Sequence, residues 1–78
     1  MGRTIYVGGI PAETSEVALH GLFQRFGAID EVRVIRRRST DGRIFAYVTF
    51  ASPRAAEAAC ALDGAALDGL RLRVAVAR

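Results

Sequence analysis

The candidate binding residues of this sequence lie mainly in the segment from Arg43 to Phe50. Its residues alternate between an apolar set, beginning at Ile44, and a second set that carries an arginine and two aromatic rings. A period of two is typical of a half-buried β-strand whose apolar set faces a core. Phe45 and Tyr47 would then share the solvent side with Arg43, although soluble proteins seldom expose neighbouring rings without a use. Rings stack on planar groups and arginine grips anions, so the pattern indicates a surface for a flat, negatively charged polymer.

The composition is that of a small, folded, basic domain. A chain of 78 residues has room for one domain, which we expect to span residues 1–78, and an apolar content of 51% excludes a disordered chain. All 11 basic residues are arginine, and the net charge is +3. This charge suits a polyanionic partner without establishing one.

The sequence also limits the compartment. Cys60 is the single cysteine, which excludes an internal disulfide framework and a cysteine-built zinc site and makes a reducing compartment the default. The N-terminus has no signal-peptide core, and no apolar run is long enough for a membrane span. We therefore expect an intracellular protein, in the nucleus or the cytoplasm, that is neither secreted nor bound to a membrane.

No set of catalytic side chains can be assembled from the sequence. His20 falls off the apolar stripe of the first predicted helix, so we expect it at the surface. No paired carboxylates, Ser–His pair or Cys–His pair can be placed within reach, and no phosphate-loop glycine pattern occurs. We predict a protein that is not an enzyme and that uses no cofactor and no metal.

Periodicity predicts the order strand, helix, strand, strand, helix, strand. The predicted strands cover residues 3–8, 29–36, 43–50 and 70–77. Both helices can cover one face of a four-stranded antiparallel sheet, which makes the fold α+β and leaves the other face open to water.

The first predicted helix begins at a cap, Ser15 or Thr14, and ends at Gly27. Gly21 weakens its middle and is expected where the helix packs most closely on the sheet. The second helix begins at Ser52, ahead of a proline, and ends at a glycine. Its apolar stripe has little volume, since it comprises Ala55, Ala58, Ala59 and Leu62.

Two segments resemble the signatures of the RNA recognition motif family. The longer signature, Lys/Arg, Gly, Phe/Tyr, Gly/Ala, Phe, Val, any residue, Phe/Tyr, is similar to Arg43–Phe50, and a shorter aromatic signature is similar to Ile5–Ile10. The elements between and after them are also similar, so the resemblance covers nearly the whole chain. Ile44 replaces the usual glycine, and its parity points it toward the helices, so it should affect packing or the preceding loop more than the open face.

The resemblance implies a ferredoxin-like β-α-β-β-α-β sandwich whose first and third strands lie side by side. It places Tyr6 beside Phe45 and Tyr47, with Tyr6 and Tyr47 each stacking a base and Phe45 contacting sugars or a base. Arg43 would pair with a backbone phosphate. The implied partner is single-stranded RNA, because a flat sheet cannot enter the deep, narrow groove of an A-form duplex. In the other reading, the rings pair across strands and merely stabilise the sheet.

Further arginines are secondary candidates for RNA contact. Arg33 and Arg73 on the outer strands face the open side by parity. The run of Arg36, Arg37 and Arg38 could wrap a bound strand from the hairpin tip, or be a solvated loop that keeps the edge strand soluble. Arg3 and Arg78 are weaker candidates. Few acidic groups are expected on the open face, because several of them map to helices or loops away from it. These are Glu13, Glu16, Glu57 and Asp63.

The leading hypothesis is a monomeric, sequence-tolerant or modestly selective single-stranded RNA binder that acts in RNA processing or as an RNA chaperone. One alternative is a protein-interaction module that uses the helical face, with the alanine-rich second helix as a smooth docking surface. Another is single-stranded DNA binding, because stacking and phosphate contacts work with either polymer and only 2′-hydroxyl contacts separate them.

Overall fold

The structure, a computed structural model, describes residues 2–37 and 42–77. Its main sheet has four strands, and every neighbouring pair in it is antiparallel. The elements in chain order are β1 (Thr4–Pro11), α1 (Glu16–Phe23), β2 (Ile29–Ile35), β3 (Arg43–Phe50), α2 (Pro53–Ala59), β4 (Ala66–Leu67), β5 (Leu70–Arg71) and β6 (Arg73–Val76). The sheet order is β2-β3-β1-β6, so β1 and β3 are its two central strands. The predicted α+β fold is confirmed.

Serine caps begin both helices. The Ser15 Oγ accepts a hydrogen bond from the backbone N–H of Ala18 at 3.1 Å, and the Ser52 Oγ accepts one from Ala55 at 3.3 Å. Each bond satisfies one of the backbone donors left open at a helix start. Short 3-10 turns extend the helices to Phe26 and Leu62. No helix in the described part of the chain is long and apolar enough to cross a membrane.

One face of the sheet packs against the helices. Side chains of β3 alternate along the strand, with Ile44 2% exposed and Val48 and Phe50 fully buried on the helix side. From α1, Leu19 and Phe23 enter the same core. Because these contacts use one face only, the opposite face of β1 and β3 remains half-exposed.

Helix α2 packs through alanines, but not through the predicted set. Ala55, Ala56 and Ala59 are buried, whereas Ala58 is exposed. The expected stripe of Ala55, Ala58 and Ala59 is therefore wrong at one position, since the helix is rotated so that Ala56 faces the core. Small side chains at all three buried positions let the helix axis lie close to the sheet.

Residues 70–77 are not the single strand that the alternation predicted. The left-handed backbone of Asp68 (φ 51°) and Gly69 (φ 82°) makes a tight turn, and this turn pairs β4 with β5 in a separate hairpin. The backbone of Leu72 then bonds to Gly64 and Ala65, at 2.8 Å in each case, rather than to the main sheet. The chain joins that sheet only at Arg73.

A bulge interrupts β1 between Val7 and Ile10. Val7 lies opposite Ala46, but the next paired residue, Ile10, lies opposite Ile44, so the register shifts across two glycines. The extra residue changes the parity of the strand, which lets both Val7 and Ile10 face the core. Ile44 packs inward beside this bulge, as its parity predicted.

Candidate nucleic-acid interface

Tyr6, Phe45 and Tyr47 form a cluster on the open face of the sheet, which we call the aromatic platform. Their ring centroids lie 5.7 Å apart for Tyr6 and Phe45, and 5.9 Å apart for each of the other two pairs. These separations lie within the range in which aromatic rings attract one another. All three rings are half-buried, so each keeps part of its surface toward solvent.

Strand pairing is what assembles the platform. Tyr6 lies directly opposite Tyr47 in the β1–β3 register, and Phe45 follows on the same face of β3. Directly opposed residues of an antiparallel pair share a face. The predicted grouping of these three residues is therefore present, and it includes ring-to-ring contacts that also stabilise the sheet.

The position of the Tyr6 ring depends on the absence of a side chain at Gly8. A Cβ atom at Gly8 would lie 2.7 Å from Cε2 and from Cζ of that ring, closer than real Cβ contacts occur. The ring therefore lies along β1, over the backbone of Gly8. The sequence predicted Gly8 only as the end of the first strand and did not reveal this role, which depends on the direction of one side chain.

Two outer-strand arginines lie beside the platform. Arg33 of β2 is paired with Tyr47, and Arg73 of β6 is paired with Gly8, so both share the open face, as their parity predicted. Both are exposed. Arg43 is half-buried and lies opposite Pro11, at the end of β3 that follows the hairpin loop. The platform thus has guanidinium groups on more than one side.

The remaining arginines differ in the hydrogen bonds that their side chains make. Arg36 donates to the backbone carbonyls of Ala12, at 3.1 Å, and Thr14, at 3.2 Å, which fastens the end of β2 to the β1–α1 loop. Arg3 donates to Asp30 at 3.2 Å and to the carbonyl of Phe50 at 3.3 Å. Arg37 is exposed. The predicted contacts of Arg38 and Arg78 lie outside the described residues.

The open face also carries polar groups that the sequence had not been expected to place there. Glu31 lies opposite Thr49, which in turn lies opposite Thr4, so the three side chains form a row across the sheet. The hydroxyl oxygens of Thr4 and Thr49 are 2.9 Å apart. The parity that placed Arg33 on this face also applies to Glu31, two residues earlier, and could have found it.

The described residues around the platform do not resemble a metal centre. Within residues 2–37 and 42–77, no group of three or more His, Cys, Asp or Glu side chains is arranged to hold a metal ion. His20 is exposed, and the Cys60 thiol, which is half-buried, donates to the carbonyl of Ala56 at 3.6 Å. What the face offers is flat rings, cations and a few hydrogen-bonding groups.

Comparison with known families agrees with this geometry. The model of the family described as "RNA recognition motif" matches residues 5–73. The chain belongs to the RNA recognition motif family. The matched range includes the three platform rings and Arg73, and it leaves out Arg3 and Arg78.

Similar solved structures share the fold over nearly the whole chain. "Pes4 RRM3 Structure" has a TM-score of 0.89 at 21% identity, over 97% of this chain and 92% of that chain. "Structure of Rna15 RRM with bound RNA (GU)" has a TM-score of 0.83 at 21% identity, over 99% and 84%. "Crystal Structure of RNA Binding Protein PG1" has a TM-score of 0.83 at 35% identity, over 96% and 93%.

Family membership gives the platform its context. RNA recognition motifs are non-catalytic RNA-binding modules, and their sheet aromatics stack bases. The two segments that resembled the family signatures lie on β1 and β3, the central strands of the sheet. Membership therefore supports RNA binding by this RNA recognition motif.

Proposed function

We propose that this RNA recognition motif binds single-stranded RNA on the open face of its sheet. One observation carries the proposal: three rings within 5.9 Å of one another lie on a face that the helices do not cover. Every base has a π-face, so such a surface accepts unstacked bases of any sequence. We assign one base to Tyr6 and one to Tyr47, with Phe45 contacting the sugars or a base between them.

Arginines supply the second part of the mechanism. Arg33 and Arg73 flank the platform on opposite sides, one on each edge strand of the main sheet. We propose that they and Arg43 contact backbone phosphates, which neutralises charge and sets the path of the strand. Arg37, which is exposed just after β2, would extend that path.

Two arginines are weaker candidates on energetic grounds. The Arg36 guanidinium already donates to two backbone carbonyls, and that of Arg3 donates to Asp30 and Phe50. A phosphate would have to replace these bonds, whereas Arg73 makes no such bond to any other residue within 2–37 and 42–77. We therefore rank Arg3 and Arg36 below Arg73 for phosphate contact.

Affinity should be modest and should fall with salt. One platform stacks only a few bases, at about 1–3 kcal/mol each, and phosphate contacts weaken as counterions accumulate. We expect a dissociation constant on the order of micromolar. Sequence-tolerant or modestly selective binding of this strength suits a role in RNA processing or RNA chaperoning, in which unpaired segments are held briefly.

A titration followed by NMR tests the proposal. Short single-stranded RNA should shift the backbone amides of β1 and β3 while leaving those of α2 nearly unchanged. The same titration with DNA of the same sequence separates the two polymers, since only RNA offers 2′-hydroxyl contacts. Absence of shifts on the sheet at millimolar RNA would exclude the platform as a binding surface.

The protein-interaction alternative would use the outer surface of α2. Of the alanines in this helix, Ala58 is exposed, whereas Ala55, Ala56 and Ala59 are buried. A partner protein bound at the helices would shift α2 resonances and not those of β1 and β3. The same NMR experiment therefore distinguishes it from the RNA-binding proposal.

A further inference from the structure

Glu31 stands on the surface that we assign to RNA, where a carboxylate would repel phosphates. It lies on edge strand β2 opposite Thr49, and its neighbour Arg33 lies opposite Tyr47. Its side chain is 60% exposed, so it is available to a ligand. A negative group beside the aromatic platform must either weaken binding to every RNA or favour RNA of a particular kind.

The long ion pair between Glu31 and Arg33 leaves both side chains available to a ligand. The Arg33 Nε and Glu31 Oε2 atoms are 3.9 Å apart, which is longer than a hydrogen bond, and the Arg33 side chain is 67% exposed. Exposed pairs of this kind contribute little to folding. An incoming base can therefore replace this contact with better ones to each partner.

The two side chains present complementary chemistry next to one ring. A carboxylate accepts hydrogen bonds through two oxygens and donates none, while a guanidinium only donates. A base stacked on Tyr47 would turn an edge toward β2, which lies beside β3 in the sheet. Glu31 and Arg33 both project from β2, so they would meet the hydrogen-bonding groups on that edge of the base.

Guanine is the base whose Watson–Crick edge fits this pair. It presents two adjacent donors, N1–H and N2–H, that can reach the two oxygens of one carboxylate, followed by an O6 acceptor for the arginine. Adenine and cytosine present one donor beside an acceptor, and uracil presents one donor between two carbonyl oxygens. Charge-assisted bidentate pairs are the stronger ones.

We propose that Glu31, with Arg33 beside it, makes this sheet selective for guanine in the position stacked on Tyr47. This inference rests on the proposed RNA-binding function and adds a base preference to it. The negative charge then serves as a filter, because a base that cannot donate twice leaves a carboxylate poorly paired beside the RNA.

Anisotropy titrations with short labelled oligouridines test the preference. One oligonucleotide contains uridine alone, a second carries a single guanosine, and a third carries inosine, which lacks the 2-amino donor, at that position. The wild-type protein should bind the guanosine oligonucleotide about 5- to 10-fold more tightly than oligouridine, the low end for a bidentate side-chain-to-base pair. Inosine should give an intermediate affinity.

Glu31→Gln removes the charge and one acceptor while keeping the shape of an exposed side chain. It should reduce the guanosine-to-uridine affinity ratio to near one. Glu57→Gln is the matched control, since Glu57 is exposed on α2 and its replacement makes the same change in net charge. The Glu57→Gln protein should keep the wild-type ratio.

Three results would overturn the inference. If the wild-type protein binds the guanosine oligonucleotide and oligouridine equally, the base preference is absent although RNA binding stands. If Glu31→Gln tightens binding to every oligonucleotide by the same factor, Glu31 only repels the backbone. If the wild-type protein binds none of the oligonucleotides, the proposed function itself fails, and the inference fails with it.

Discussion

The ring of Tyr6 lies over Gly8 so closely that a Cβ atom on Gly8 would stand 2.7 Å from two of its carbons. The obstructing atoms belong to the far end of a side chain, so Gly8→Ala should displace the ring rather than break the strand. We predict that this variant folds and binds single-stranded RNA less tightly, with a loss up to the ~1–3 kcal/mol that one stacked base contributes. Anisotropy titration measures the loss.

A double-mutant cycle identifies the cause of that loss. If Gly8→Ala acts through the Tyr6 ring, it should have little further effect in a Tyr6→Ala background, because the ring is already gone. Equal losses in the two backgrounds would show that Gly8 acts on RNA or on the strand directly. Chemical shifts of β3 amides report whether the sheet is intact in each variant.

Replacing Tyr47 by alanine removes one of the three rings of the platform. Tyr47→Ala should weaken RNA binding by about 1–3 kcal/mol, because a base would lose its stacking surface. Tyr47→Phe is the matched control, since it keeps the ring and removes only the hydroxyl, and it should bind nearly as well as the wild type. A large loss in Tyr47→Phe would instead assign the effect to the hydroxyl group.

Arg73 provides a test of phosphate contact that does not depend on base identity. Arg73→Ala should reduce the slope of log affinity against log salt by about 0.7, the value for one phosphate on a single strand. Arg54→Ala is the control, because Arg54 is exposed on α2 and its loss changes the net charge equally. An equal change in both variants would indicate a general charge effect.

Gly21 offers a stability prediction that is independent of RNA. It lies within α1, is exposed, and a Cβ atom there would have no neighbour within 4 Å. Gly21→Ala should raise the free energy of unfolding by about 0.5–1 kcal/mol, because alanine loses less backbone entropy in a helix. Thermal unfolding should show a Tm higher by roughly 2–8 °C, with RNA affinity unchanged.

Local rules predicted the parts of the fold that local chemistry decides. The β3 strand runs from Arg43 to Phe50, as its alternation indicated, and Ser15 and Ser52 cap the two helices. Each serine cap accepts a bond from a backbone N–H only three residues away, and the alternation of β3 lies within the strand itself. The platform could also be predicted, because the family resemblance supplied the pairing of β1 with β3.

Tertiary contacts decided what sequence reasoning got wrong. Alternation alone joined Leu70–Arg71 to the last strand, but the turn at Asp68 pairs this segment with β4 instead. Helical periodicity could not fix the rotation of α2 closely enough to choose Ala56 over Ala58. Gly21, expected at the closest approach of helix and sheet, is instead on the solvent side of α1.

The opposition of Tyr6 and Tyr47 across two strands that are distant in sequence means that the unfolded chain has no platform. RNA held there binds the native state and not the denatured one. Folding and binding are then thermodynamically linked, and RNA at 100 times its dissociation constant adds about 2.7 kcal/mol to the free energy of unfolding. If RNA binds this small domain as proposed, the bound strand is itself part of what keeps the protein folded.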